Sequence, residues 1–285
     1  MIDLNFKSGS QESFDSAWKN REEAFYIHWG KGHPTNQIQL AFQNHYQLFS
    51  AIHSNFLPSD QVRVLEVGCG RGSLSAHYAA DGYNCTLLDS SESIIQTAQK
   101  IFAANSLNAS FYHGDAEKLP FDDCTFDIVT SIGLLEHFDN PTTVISEKLR
   151  VTQKGGWVIN YIVPQKSAAV QKWASVPNYF LALFRGVKTK SGSKDPVYRT
   201  QNSISDYLAF SSGLNYSDVF ASGTYTYPMI SASVDFPFTL NTPLLEYLLV
   251  RVFKLYLSIR KTLTRKSPWL CRESFGHAII IAFQK

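Results

Sequence analysis

The stretch Val64–Gly72, VLEVGCGRG, constrains the fold more than any other part of the chain. Apolar residues give way to Gly68, Gly70 and Gly72, and a segment of helical character follows. A short apolar run reads as a buried strand, and glycines that halt it before a helix mark a strand-to-helix turn. The rhythm then repeats. NCTLLD (84–89) is a second strand, ASFYHGD (109–115) a third, TFDIVTSIGLLEHF (125–138) a fourth with its exit loop, and WVINYIVP (157–164) a fifth. Between them SLSAHYAADG, SESIIQTAQKIFAANS and PTTVISEKLRVTQKGG read as helices, the last with Pro141 at its start and glycines at its stop. Strands alternating with helices predict an α/β fold: a Rossmann-like, doubly wound sheet with ligand at the carboxyl ends of its strands.

The remaining segments are arranged around that core. Residues 1–60 read as a helical arm, with one helix expected from Gln37 to Phe56, and 61–165 as the ligand-binding core. Residues 166–227 continue the core with a substrate-facing segment, including a helix at 203–215 and a strand at 216–227. An insertion rich in Tyr, Phe and Leu, 228–274, reads as a lid, and 275–285 as a closing strand.

Composition removes several classes of function. A net charge of +2 lacks the basic excess of a nucleic-acid binder. Cys69, Cys85, Cys124 and Cys271 form no pair at zinc-like spacing, so no metal centre is expected. The first residues are polar, without the apolar stretch of a signal peptide, and no run reaches the ~18 apolar residues that a bilayer crossing needs. A cytoplasmic chain is expected.

Two carboxylates give the glycine turn a ligand. Asp89 closes the second strand nineteen residues after Gly70, where a carboxylate can accept from both hydroxyls of a ribose. It could also cap the following helix. Asp115 and Ala116 end the third strand, where a carboxylate can accept from an adenine amine and a backbone N–H can meet the ring; an ordinary loop acid would look the same. A nicotinamide-binding site shares the first carboxylate and does not require the second pair. Its fingerprint also wants a glycine at position 73, which is Ser73, whereas here the third glycine is Gly72.

In order, VLEVGCGRG, LLDSS, GDAEKLPFDDCTFDIV, LLEHF and LRVTQKGGWVI resemble the class I S-adenosylmethionine-dependent methyltransferases over residues 60–165. That resemblance implies S-adenosylmethionine as cofactor. Glu66, Gly68, Cys69 and Gly70 would line its methionine and ribose portion, Asp89 would hold the ribose hydroxyls, and Ser90 would flank the adenine. Asp115 with Ala116 would read the adenine edge, and Ser131 and Ile132 would close the pocket. It also implies seven strands, the last of them (HAIIIAFQ) antiparallel between its neighbours.

The methyl acceptor is approached by elimination. SIGLLEHF lacks the Asn/Asp-Pro-Pro-aromatic element of amino-directed enzymes and the nucleophilic cysteine of cytosine enzymes, and the cysteines do not cluster for arsenic chemistry. A small, partly apolar acceptor methylated on oxygen is expected. His137 is the candidate base, with packing as its alternative; Glu136 beside it would brace the cofactor or a neighbouring N–H. Tyr26 and His28 in FYIHWG are a second option, or plain aromatic packing. In the lid, Leu245, Leu248, Val252, Leu255, Tyr256 and Ile259 recur at helical spacing, and Arg251–Arg272 holds seven Lys/Arg and no acid. Such a helix packs as a lid, pairs with a second copy in a homodimer, or lies on an anionic membrane, where a lipid-linked sugar or quinone-like acceptor would be natural.

Overall fold

The computed structural model describes residues 29–30, 32–165, 168–169, 171–172, 198–228, 230, 242–264 and 267–285. In chain order the elements are α1 (Gln37–Ile52), β1 (Arg63–Val67), α2 (Ser73–Ala80), β2 (Asn84–Asp89), α3 (Glu92–Ala104), β3 (Ser110–His113), β4 (Phe126–Ile132), α4 (Thr142–Val151), β5 (Thr152–Ile162), α5 (Ile204–Phe210), β6 (Asp218–Thr224), α6 (Pro243–Thr264), β7 (Leu270–Cys271) and β8 (Ala278–Gln284). A 3-10 turn, Leu135–His137, follows β4.

One sheet, ordered β3-β2-β1-β4-β5-β8-β6-β7, runs through the molecule. Strands β1 to β5 are mutually parallel, which requires helices over both faces and therefore strands buried on both sides. The sequence meets that demand: Val64–Val67 and all of β4 up to Ser131 are buried. On one face the core takes in Leu48 and Phe49 of α1, Leu74 and Tyr78 of α2, Phe102 of α3 and Phe253 of α6. On the other it takes in Val144, Ile145 and Leu149 of α4 and Tyr207 of α5.

The last strand is antiparallel to both β5 and β6, as expected. The sheet has eight strands where seven were expected, because Leu270–Cys271, inside the segment read as lid, pairs with the end of β6. β5 starts at Thr152 rather than at Trp157. TQKGG looks like a helix stop, yet Thr152 already sits opposite Phe126, and a register shift between Phe126 and Ile128 absorbs the glycines. The Gln37 helix ends at Ile52, and the one expected at 203–215 is a single capped segment, Ile204–Phe210.

Candidate active site

Strand order reverses between β1 and β4, so their carboxyl ends open a crevice at the switch point. The glycine turn leaves β1 there. Its first two N–H groups, of Gly68 and Cys69, donate to the Leu88 carbonyl of β2 at 2.8 and 3.0 Å. Gly70 and Gly72 both have positive φ, but they do different work. A Cβ on Gly72 would lie 2.5 Å from Leu87 and 2.8 Å from Phe102, so this glycine lets α2 close on the core. A Cβ on Gly70 would meet nothing within 4 Å, so the space over this residue is open.

Asp89 faces the same turn. Its Oδ2 accepts from the Gly70 N–H at 2.9 Å and its Oδ1 from the Ser91 N–H at 3.0 Å. The helix after β2 is capped by Ser91 instead, whose side chain accepts from Ile94 N–H. Asp89 therefore ties the strand tip to the glycine turn. Gly114 N–H donates to the Asp89 carbonyl at 3.0 Å, which brings the exit of β3 alongside. There Asp115 is exposed and orders its own turn by accepting from Glu117 N–H at 2.9 Å, while Ala116 is buried. Ser90 is exposed, and its carbonyl accepts from His113 Nε2 at 2.9 Å.

The other residues singled out from the sequence lie deeper. Glu66 is buried beneath the turn and accepts from the N–H and hydroxyl of Ser75, in the first turn of α2, at 3.0 and 2.5 Å. Burial pushes its carboxyl up to about 7, against the pull of those Ser75 bonds. Cys69 is buried, and burial, then Asp89, pushes its thiol well above the usual range. The Ser131 hydroxyl lies on the α4 face, accepting from Lys148 Nζ at 2.7 Å and bonding Asn160 at 3.2 Å. Burial drives that lysine's pKa well below the ordinary value, with the Glu66 charge opposing. Ile132 is half-buried on the opposite face and pairs with Tyr161.

His137 is buried, and its Nδ1 lies 2.5 Å from the Tyr198 carbonyl. A carbonyl only accepts, so Nδ1 carries the proton of this bond. Glu136 braces the chain after β5: Oε1 accepts from Val163 N–H at 3.1 Å, while Oε2 is buried without a hydrogen-bond partner. Tyr26 and His28 lie outside the described residues. No group of three or more His, Cys, Asp or Glu able to hold a metal occurs among the described residues.

Five parallel strands in this order, with a glycine turn at their switch point and carboxylates at two neighbouring strand tips, have the layout of a nucleotide-binding α/β domain. Comparison with known proteins narrows this. Residues 65–160 match the family model described as a methyltransferase domain. Over those residues the chain is similar to the methyltransferase domain of class I S-adenosylmethionine-dependent enzymes. It is 31% identical over 143 residues to a ubiquinone biosynthesis O-methyltransferase of Maricaulis maris, covering 48% of this chain and 54% of that one. It is 35% identical over 97 residues to a demethylmenaquinone methyltransferase of Clavibacter sepedonicus, covering 34% of this chain and 39% of that one. The chain spans about half the length, or less, of these curated relatives. Among solved structures, the fold is similar to the YcgJ protein of Bacillus subtilis (TM-score 0.51, 17% identity, 85% of this chain and 99% of that one). It is also similar to the [4+2]-cyclase SpnF (TM-score 0.51, 17% identity, 97% and 92%).

The residues present fit S-adenosylmethionine. The open space over Gly70 has room for a ligand, and Asp89 is held beside it by main-chain N–H groups.

Proposed function

We propose that this protein transfers a methyl group from S-adenosylmethionine to an oxygen of a small, partly apolar molecule in a biosynthetic pathway. Asp89, fixed to Gly70 N–H at the switch point, carries the reading. Asp89 would hold the ribose hydroxyls, Asp115 and Ala116 the adenine edge, and Gly68 and Gly70 the amino-acid portion, with Glu66 and Cys69 packed beneath them. The bound cofactor supplies a sulfonium methyl for in-line displacement by the acceptor. The chain's own contribution is to hold the acceptor in line and exclude water. His137, oriented by its Nδ1–H bond to the Tyr198 carbonyl, would take the acceptor's proton. Oxygen is favoured because similar proteins named as O-methyltransferases share the core. A nicotinamide-dependent oxidoreductase loses to the methyltransferase match.

Calorimetry with S-adenosylhomocysteine tests the assignment. The wild type should bind, and Asp89→Ala should lose at least a hundredfold in affinity; equal affinity would contradict the ribose role. His137→Ala should bind S-adenosylhomocysteine as the wild type does and turn over an acceptor at least tenfold more slowly, and full turnover would remove His137 from the mechanism.

A second reading places the acceptor at a membrane surface, as a lipid-linked sugar or quinone-like molecule. One observation favours it. Eight large apolar side chains of α6, among them Leu248, Val252, Leu255, Ile259 and Leu263, are exposed, on a helix that also bears Arg251 and Lys261. No helix among the described residues is long and apolar enough to cross a membrane, so contact would be peripheral. A homodimer across the same face is the competing use of it. Flotation with anionic vesicles, compared with the mass of the protein in solution, separates the two.

A further inference from the structure

The opposite side of α6 lines a cleft that neither the glycine turn nor the methyltransferase match assigns. Between α1, α6 and the approach to β7 lies an open cavity of about 750 Å³, within the size range of small-molecule sites. Lys254, Leu257, Ser258 and Lys261 sit at helical spacing along its α6 wall. Leu40, Leu257, Pro268 and Trp269 give it an apolar patch, and no carboxylate lines it among the described residues. Neither lysine has an ion-pair or hydrogen-bond partner among the described residues. Lys254 is half-buried, and loss of water lowers its pKa. Lys261 is exposed, so the two ammonium groups, one at the rim and one deeper, make a positively charged wall beside an apolar patch, a surface suited to an anion on an apolar body.

The cleft has a floor of a different kind. Asn44 and Trp269 also border a hollow of about 10 Å³, room for about one oxygen atom or water. His45 and Tyr161 line that hollow with their rings 4.1 Å apart. Both nitrogens of His45 and the Tyr161 hydroxyl are buried without hydrogen-bond partners, as are Trp269 Nε1 and Ser267 Oγ in the cleft itself. Buried polar atoms are nearly always paired, so this concentration of unpaired groups marks a place for a ligand. Tyr161 is next to the last residue of β5 and pairs with Ile132, so the floor lies at the carboxyl ends of the central strands.

We propose that this cleft binds the methyl acceptor, and that the acceptor carries an anionic group on an apolar body, with Lys254 and Lys261 holding the anion. This rests on the methyltransferase reading for the word acceptor, but not for the site itself. The test is calorimetry of the full chain with 4-octylbenzoate, its neutral counterpart 4-octylbenzamide, and 4-octylphenyl phosphate. At least one anion should bind saturably and at least tenfold tighter than the amide, and the tighter anion names the group. In Lys254→Gln/Lys261→Gln that preference should fall at least fivefold while S-adenosylhomocysteine affinity and the melting temperature stay put. Equal binding of the amide, no saturable binding, or a preference that survives the double substitution each overturns the proposal. An anion site dependent on both lysines, in a chain that does not bind S-adenosylhomocysteine, keeps the site and sinks the methyl-transfer reading.

Discussion

The cofactor crevice and the α1–α6 cleft are built in opposite ways. The crevice is local: its glycine turn, the Asp89 carboxylate and the Asp115–Ala116 pair come from three consecutive strand exits within 65–116, each linked to the next by hydrogen bonds. The cleft is assembled from the two ends of the described chain. Gln37 donates its N–H and side-chain amide to the buried Glu246 carboxylate at 2.9 and 3.1 Å, across 209 positions, and exchanges a further pair of bonds with the main chain of Ile230. A site made of neighbours in sequence tolerates change elsewhere. A site made by clamping distant segments depends on the clamp.

The contrast can be broken by experiment. Gly70→Ala should produce the largest effect: loss of S-adenosylhomocysteine binding by at least a hundredfold, with a folding cost of only about 1 kcal/mol from the positive φ. A comparable collapse in melting temperature would show that Gly70 serves packing, as Gly72 does. Glu246→Ala should act the other way. It strands two buried donors of Gln37, so chemical denaturation should show a loss of about 3 kcal/mol while cofactor affinity changes less than twofold. Equal damage to both functions would merge the two regions into one.

Acid should discriminate them next. Burial lowers the pKa of His45 to about 3 and of His53 to about 4, both on the α1 side. The unfolded chain then binds the more protons below about 6.5, so this contribution is present at neutral pH and declines as pH falls toward 4. At pH 5 the penalty is roughly 2 kcal/mol per histidine. His45→Leu should flatten the acid limb of a plot of stability against pH; an unchanged limb would mean that this ring is protonated in the fold. The smallest effect belongs to the outer face of α6. Val252→Ser with Leu255→Ser should weaken vesicle binding several-fold and leave solution stability within about 0.5 kcal/mol, since both side chains are exposed.

The same contrast explains what was legible in the sequence. NCTLLD was bounded as the strand it forms, Asn84–Asp89, because a buried parallel strand is an apolar run with little else to confuse it. The crevice was legible for the same reason: Gly70 and Asp89 meet because adjacent strands bring them together. Ser131 is a counterexample, since strand alternation alone sends its hydroxyl to Lys148 rather than toward the turn. His45 and Tyr161 gave no signal at all. QNHYQ is an unremarkable helical stretch, and nothing within it says that a strand over a hundred residues away will set a tyrosine ring against its histidine. Lys254 and Lys261 were visible only as members of a basic run. That their side of the helix faces α1, while Val252 and Leu255 face water, is tertiary information.

The placement of β8 has a consequence for how the chain is made. β5 ends at Ile162, and its partner begins only at Ala278. During synthesis the central edge of a growing parallel sheet therefore waits, with its hydrogen-bonding groups uncovered, while more than a hundred intervening residues leave the ribosome. Contacts of such sequence separation form slowly, and a bare hydrophobic edge invites pairing with a neighbouring nascent chain. Yield on expression should consequently be limited by that interval, and slowing translation across it, or lowering temperature, should shift the product between aggregate and folded protein.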